Sequence, residues 1–484
     1  MDHSTQAGKN FAWLSVAQLA TRLIGAAFYI FLSFKLLASG LGEYSFVSAF
    51  VPLWFLFSDF GISSYLYREW SKGRYAQEQA NYDYNVLFAF TSALAAVIFG
   101  VFFFVNLFIN REVLPSLVLF FFSVYLSGYV HTNDLYLQST NFFRQPAIRQ
   151  IIEKLTVVIV GGILLLWQAN IIWVFVAILM SQFVSYFYYM LGGFAFRIRL
   201  VWNKTRIKQL VLLGYPFLFL SLFTSIYGRI DMVMLRYLKG FDAVGLYGAA
   251  YKFMDISVIF SSLFLAAVFP VLSRLSKDKN KTTEHSNFFN SSLRIIFSSS
   301  ILIATFFIFG APWLFEAFFP ESFGAGILAT RILVLAQVIT FASLLFNNLL
   351  IIQNKEKVSL YIILFGACLN ILLNFFLIPK FSIYGATWAT VIAEVFNLYL
   401  LQHFVQWKAD LGVVTKMVVF AAANVGLMVF LKQYELLNVL WLGVAVFVIN
   451  AVLLYWSGLI TWLDIKFFAR PFWQKLASFW PAGN

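Results

Sequence analysis

The sequence predicts an all-α membrane protein of about fourteen transmembrane helices, arranged as two six-helix lobes followed by a C-terminal helix pair. Three observations predict it. Of the 484 residues, 61% are hydrophobic and only 11% are charged, where a soluble domain carries about 25% charged residues. The apolar runs are about twenty residues or longer, the length of a spanning helix, and do not show the alternation of short barrel strands. Basic residues gather on alternate connections, as the positive-inside rule requires.

Taken in order, the spans fall approximately at 11–37, 43–67, 84–108, 114–137, 150–167, 170–192, 209–236, 243–272, 288–310, 326–352, 358–378, 383–404, 414–431 and 437–460. The start, MDHSTQAGKNFAW, lacks the features of a signal peptide, so the first run reads as a permanent helix. Only Gln168–Asn170 separates the fifth and sixth spans, which demands a tight turn. The Phe-rich run Phe99–Phe108 is expected to face lipid.

Connections after even spans carry Arg68, Lys72 and Arg74; Arg144 and Arg149; Arg197, Arg199, Lys204, Arg206 and Lys208; Arg274, Lys277, Lys279 and Lys281; Lys355 and Lys357; Lys408 and Lys416. Those after odd spans hold little beyond Arg111, Lys239, Lys380 and Lys432. With Lys9, Lys466, Arg470 and Lys475 the bias is roughly 22 to about four. Both termini are therefore expected in the cytoplasm, which requires an even number of crossings. The net charge of +13 reflects these loops and not a nucleic-acid surface. The tail 461–484 mixes Trp and Phe with Lys and Arg; it reads either as an interfacial helix on the inner leaflet or as a frayed terminus.

Enzyme chemistry finds little support. The single Cys368 forms no intramolecular disulfide, and His3, His131, His285 and His403 have no metal-ligand spacing. No nucleotide-binding loop is present. The outer connections are short apart from Ala311–Ala325, which disfavours a membrane glycosyltransferase or polymerase. The chain is expected to be a non-enzymatic transporter without metal or cofactor.

A weak internal repeat supports the lobes. The junction LLASGLGEYSFVSAF aligns with RYLKGFDAVGLYGAAYKF when Gly42 and Tyr44 are set on Gly245 and Tyr247, an offset of about 203 residues. Asn133, Leu135 and Gln138 are echoed by Asn347, Leu349 and Gln353. The halves are expected at 1–200 and 201–405, with 406–460 as the added pair. Six helices per half make the repeat parallel, with the substrate site between the halves.

Polar residues then mark the transport path. Ser15, Gln18, Arg22, Gly25 and Tyr29 share one face of the first helix. An arginine at the centre of a membrane helix costs about 2.5–3.5 kcal/mol on insertion scales, so Arg22 is expected to face a polar interior. The repeat brings Arg229 to about one helical turn from the equivalent position. Tyr251, Lys252 and Arg331 complete the expected substrate-binding set. Asp59, Asp231, Asp255 and Glu394 are the ion-coupling candidates. Lys252 and Asp255 are also spaced to pair with each other. Arg236, Arg68 and Lys35, near helix ends, are expected to snorkel to headgroups. Arginine grips phosphate oxygens bidentately and stays charged, so an anionic substrate such as a lipid pyrophosphate suits the first and seventh helices. Tyr29, Tyr247 and Tyr251 offer faces for sugar rings.

The stretches NFAWLSVAQLATRLIGAAF, SGLGEYSFVSAF, LFSDFGISSYLYRE, YGRIDMVMLRYLKGFDAVGLYGAAYKF and FPVLSRL resemble the polysaccharide transporter and O-antigen flippase families of the multidrug/oligosaccharidyl-lipid/polysaccharide exporter superfamily. The resemblance implies two lobes in a V-shaped arrangement like that of the multidrug exporters, working by alternating access. It implies a flippase for undecaprenyl-pyrophosphate-linked oligosaccharides in the bacterial plasma membrane, driven by H+ or Na+. Its expected partners are membrane lipids, polysaccharide polymerase and glycosyltransferases. It further implies that Arg22 and Arg229 stand where related flippases carry basic cavity residues. A cation-coupled multidrug exporter of the same fold and a lipid II flippase are the alternatives.

Overall fold

The computed structural model describes residues 3–73, 76–194, 196, 198–276, 282–405, 410–433 and 440–459. The tail 461–484 and the basic residues Arg74, Arg197, Lys277, Lys279, Lys281 and Lys408 lie outside the described residues. Among those described, the regular structure is helical throughout. Ten helices are long and apolar enough to cross a membrane, and Trp441–Trp456 is a shorter apolar one.

The first helix, α1 (His3–Asp59), runs 57 residues, about 85 Å at 1.5 Å per residue and far longer than a bilayer is thick. It resolves into two helices at Leu37, whose φ of 55° and ψ of −166° break the helical path. Gly61, with φ 72°, then turns the chain into α2 (Ile62–Trp70). The other first-half helices are α3 (Gln77–Ile109), α4 (Leu114–Ser139), α5 (Arg144–Trp167) and α6 (Ile172–Leu191). As expected, the turn between α5 and α6 is tight. The Ile172 amide donates to Asn170 Oδ1 at 3.0 Å, and Trp173 Nε1 to Gln168 Oε1 at 3.1 Å.

The second half comprises α7 (Lys204–Lys239), α8 (Phe241–Leu275), α9 (Thr282–Phe318), α10 (Ala325–Ile352), α11 (Glu356–Phe381) and α12 (Ile383–Phe404). Then come α13 (Leu411–Gln433) and α14 (Leu440–Trp456). By packing, the chain divides into two compact units, Met1–Lys252 with Ala367–Ala386, and Phe253–Gly366 with Thr387–Asn484. The sequence repeat places its border near residue 200, whereas the packing border falls inside α8. The reason is that α7 and the start of α8 pack onto α1 and α2. In the second unit, Asn450 on α14 donates to Asn424 on α13 at 2.7 Å and to Thr305 on α9 at 3.0 Å, which ties the last helix pair to its neighbour.

Three readings change. Helix α5 begins at Arg144, so Arg149 is not a loop residue; it is 6% exposed. Helix α9 extends to Phe318 and takes up about half of the expected outer loop Ala311–Ala325. In the Phe-rich run, Phe103, Phe104 and Phe108 are exposed, but Phe102 is fully buried against Trp54 and Phe121. Hydropathy alone cannot separate the faces of a helix that is apolar all round.

Candidate functional site

The site is built on a crossing in the first unit between α1 and the start of α8. A Cβ on Gly42 would run into the Phe241 carbonyl, and one on Gly245 into the Ala38 carbonyl. The two backbones therefore touch, as small residues allow in membrane helices. One turn further, a Cβ on Gly248 would meet the Tyr29 hydroxyl and Ser45 Oγ. Those two groups lie 3.2 Å apart in a buried hydrogen bond. Tyr29 thus fills the space that the glycine leaves.

Lys252, four residues beyond Gly248, sets its Nζ 5.2 Å from the centre of the Tyr29 ring. This is a cation–π geometry. Tyr29 is buried, so it is a seat for Lys252 and not an open platform for a sugar. Tyr247 is fully buried and donates its hydroxyl to Asp231 Oδ2 on α7. The Met232 amide donates to Asp231 Oδ1 at 2.8 Å. Tyr251 is half-buried and donates to the Gly228 carbonyl at 3.3 Å, beside Arg229.

Gln18, Arg22 and Arg229 are exposed along their helices. Arg22 and Arg229 fall in the same compact unit and not in separate ones. Arg236, expected to snorkel, instead pairs with Glu112 and lies 3.8 Å from the Phe241 ring centre. Arg68 pairs with Glu69 and sits over the Tyr65 and Phe217 rings. Asp59 accepts a hydrogen bond from Ser63 at the start of α2.

In the second unit, Arg331 is buried and donates Nε to the Ile308 carbonyl at 2.8 Å. Pro312 lies four residues beyond Ile308. It has no N–H, so the helix itself cannot satisfy that carbonyl. Arg331 supplies the missing donor. Glu394 is buried and Asp255 half-buried in this same unit. Among the described residues no group of three or more His, Cys, Asp or Glu could hold a metal ion.

One charged network escapes the sequence reading. Arg149 on α5 makes a bidentate pair with Asp134 on α4, at 3.0 and 2.8 Å, and also binds Glu153 one turn along. Tyr189 on α6 donates to Asp134, and Gln182 donates to Glu153 at 3.2 Å. Three helices are thereby cross-linked. Arg149 and Glu153 at i,i+4 are the signal in the sequence, and a span of 150–167 leaves the first of them out. The start of α7 is similarly fastened to α3: Arg206, expected in a loop but within α7, binds the buried Asp83 bidentately, at 2.8 and 2.7 Å.

The family model "Polysaccharide biosynthesis protein" matches residues 7–276, and the model "MatE" matches residues 216–376. Over 180 residues the chain is 32% identical to an uncharacterized membrane protein of Methanocaldococcus jannaschii, covering 37% of this chain and 41% of that one. A second uncharacterized membrane protein of the same organism is 29% identical over 214 residues, covering 43% and 39%. The matches thus span about two-fifths of these relatives' lengths. Among solved structures, a lipid II flippase MurJ in an inward closed conformation superposes with a TM-score of 0.72 at 15% identity, over 95% of this chain and 99% of that one. An inward-facing multidrug resistance MATE family transporter of the MOP superfamily superposes with a TM-score of 0.61 at 14% identity, over 82% and 95%. Both likenesses are likenesses of fold.

Proposed function

Because this chain belongs to the polysaccharide biosynthesis protein family, within the MOP superfamily of transporters, we propose that it moves a polyprenyl-pyrophosphate-linked oligosaccharide across a plasma membrane by alternating access. The carrier would be undecaprenyl in a bacterium; the curated relatives are archaeal. We take the chain to cross the membrane fourteen times with both termini in the cytoplasm. Its working partners would be the glycosyltransferases that build the glycan and the polymerase that consumes it.

The observation that carries the reading is the exposure of Arg22 and Arg229 along spanning helices. Guanidinium groups at such positions are costly in hydrocarbon and therefore belong on a watered surface. There they can hold the diphosphate bidentately while the lipid tail stays in the bilayer. Lys252, held over Tyr29, adds a third positive charge, and Gln18 and Tyr251 offer hydrogen bonds to sugar hydroxyls. Asp59, Asp231, Asp255 and Glu394 are the groups through which H+ or Na+ would drive the cycle.

The test is glycan export. Arg22→Ala and Arg229→Ala should each abolish surface polysaccharide at unchanged membrane protein level, and Arg22→Lys should restore part of it. Undiminished polysaccharide in both alanine variants would refute the assignment. The "MatE" match over 216–376 favours a second reading, a cation-coupled multidrug exporter. Drug sensitivity on deletion, with intact glycan, would select it. The lipid II flippase fold neighbour supplies a third outcome, loss of peptidoglycan precursor export with other glycans intact.

A further inference from the structure

Helices α6 and α7 are both long and apolar enough to cross the membrane, so the run that joins them, residues 192–203, lies at the bilayer surface. Buried polar groups of the first unit pin its inner side. The Phe196 amide donates to Asn133 Oδ1 at 3.0 Å, and the Arg199 amide to Asn85 Oδ1 at 2.6 Å. The Phe196 ring stacks on Tyr84 with 4.2 Å between centres. Asn203 donates to the Tyr82 hydroxyl at 2.8 Å, and Arg206 is clamped on Asp83. The path of the run is thus fixed along its length.

Its outer side holds what a water-facing loop would not. Leu200 is 78% exposed, Trp202 57% and Ile198 37%, although Phe196 and Val201 on the same run are packed into a core cluster. Arg199, Lys204 and Lys208 are exposed beside them. Among the described residues none of these three takes part in an ion pair. Lys204 does not serve α7 itself, because the helix dipole disfavours a cation in the first turn and that turn has no acidic residue to offset it. Trp and Leu interleaved with Arg and Lys suit a headgroup layer, where apolar groups enter the acyl boundary and charges meet phosphates. A water-soluble polyanion would match the charges and leave Leu200 and Trp202 in water. An apolar protein face would cover those two and strand the charges. An anionic lipid meets both.

We propose that residues 198–208 form an interfacial site for an anionic phospholipid, with Arg199, Lys204 and Lys208 on the headgroup phosphate and Leu200 and Trp202 at the boundary of the acyl chains. By the charge bias of the connections the leaflet is the cytoplasmic one, where anionic lipids draw basic segments to the surface. The site does not depend on what the chain transports. The run joins the last helix of the first repeat half to the first helix of the second, and it is bonded to α3 and α4. A lipid seated on it therefore stabilises the packing of α7 against the first half.

The experiment is thermal melting of the purified full-length protein in a neutral detergent, titrated with phosphatidylglycerol or phosphatidylcholine at constant ionic strength. A ligand that binds only the folded protein raises the melting temperature with its occupancy. The wild type is expected to gain with phosphatidylglycerol and little with phosphatidylcholine, and to lose most of the gain in about 0.5 M salt. Each cation near an anionic surface is worth about fivefold in affinity. Arg199→Gln, Lys204→Gln and Lys208→Gln combined should therefore raise the half-maximal phosphatidylglycerol concentration by roughly tenfold or more. Leu200→Ser with Trp202→Ser should also raise it, with every charge kept. Arg111→Gln, Lys357→Gln and Lys380→Gln combined, which removes three exposed cations elsewhere, should leave it unchanged. A half-maximal concentration equal in the wild type and in both variants of the run would overturn the site. So would an equal rise in the control triple, which would reduce the effect to bulk charge. A response to inorganic phosphate as large as that to phosphatidylglycerol would leave a free-anion site and refute the lipid. A wild type indifferent to phosphatidylglycerol would refute it as well and leave this surface to a protein partner. Glycan export is not read, so failure of the transport reading would leave the result standing.

Discussion

Gly42 and Gly245 touch through their backbones, and they are the residues that the internal repeat pairs with each other. Ser45 and Gly248, separated by the same offset, also meet. When two repeat-related positions contact each other, the local pseudo-two-fold axis must pass between them, as in any isologous contact. The crossing of α1 with α8 is therefore the symmetric point of the repeat. At Ser45 and Gly248 the side chains break the symmetry: Gly248 has none, and the Tyr29 hydroxyl takes its place beside Ser45.

Adding a methyl at this crossing should loosen the helices. Gly245→Ala places a Cβ against the Ala38 carbonyl, which is backbone and cannot swing away. The expected loss is about 1–3 kcal/mol or more, read as a lower melting temperature in detergent. Gly25→Ala, with open space around its Cβ, should be neutral or slightly stabilising; equal effects at the two positions would contradict the close crossing.

Removing one member of the Arg149 network should cost more than removing two. Arg149→Met strands Asp134 and Glu153 without their cation, a loss of about 3–5 kcal/mol for a buried pair. Asp134→Leu combined with Arg149→Met should recover much of it. Tyr189→Phe removes only one donor to Asp134 and should cost about 1–3 kcal/mol. A double-mutant cycle by denaturation in mild detergent measures the coupling directly.

Arg331 and Pro312 make a compensating pair. Arg331→Met leaves the Ile308 carbonyl without its side-chain donor, at about 1–3 kcal/mol. Adding Pro312→Ala returns a backbone N–H to that carbonyl and should restore stability. If the double variant is no more stable than Arg331→Met, the carbonyl is not what Arg331 serves.

The Lys252–Tyr29 contact separates charge from ring. Lys252→Met should lower glycan export, while Lys252→Arg should retain most of it, because a guanidinium also seats over a ring. Tyr29→Phe keeps the ring and loses the bond to Ser45, so it should export better than Tyr29→Leu. Gly248→Ser, whose side chain collides with Tyr29 and Ser45, should export least of the series. Export rates normalised to membrane protein level decide the order.

Hydropathy and charge by themselves determined the membrane class and the order of the helices. Each of these depends on the average environment of a segment, which a run of Leu, Ile and Phe or a cluster of Lys and Arg reports directly. The tight Gln168–Asn170 turn was legible for the same local reason. Only the tertiary structure decided which polar side chains work in pairs. Arg149 read as a loop charge and is the hub of three helices; Tyr29 read as a sugar platform and is the buried seat of Lys252; Arg331 read as cavity lining and satisfies a carbonyl orphaned by a proline. It also decided that α7 packs with the first half, so that Arg22 and Arg229 share a unit. In every case the partner lies fifteen to more than two hundred residues away, and a one-dimensional pattern carries no term for contacts at that separation.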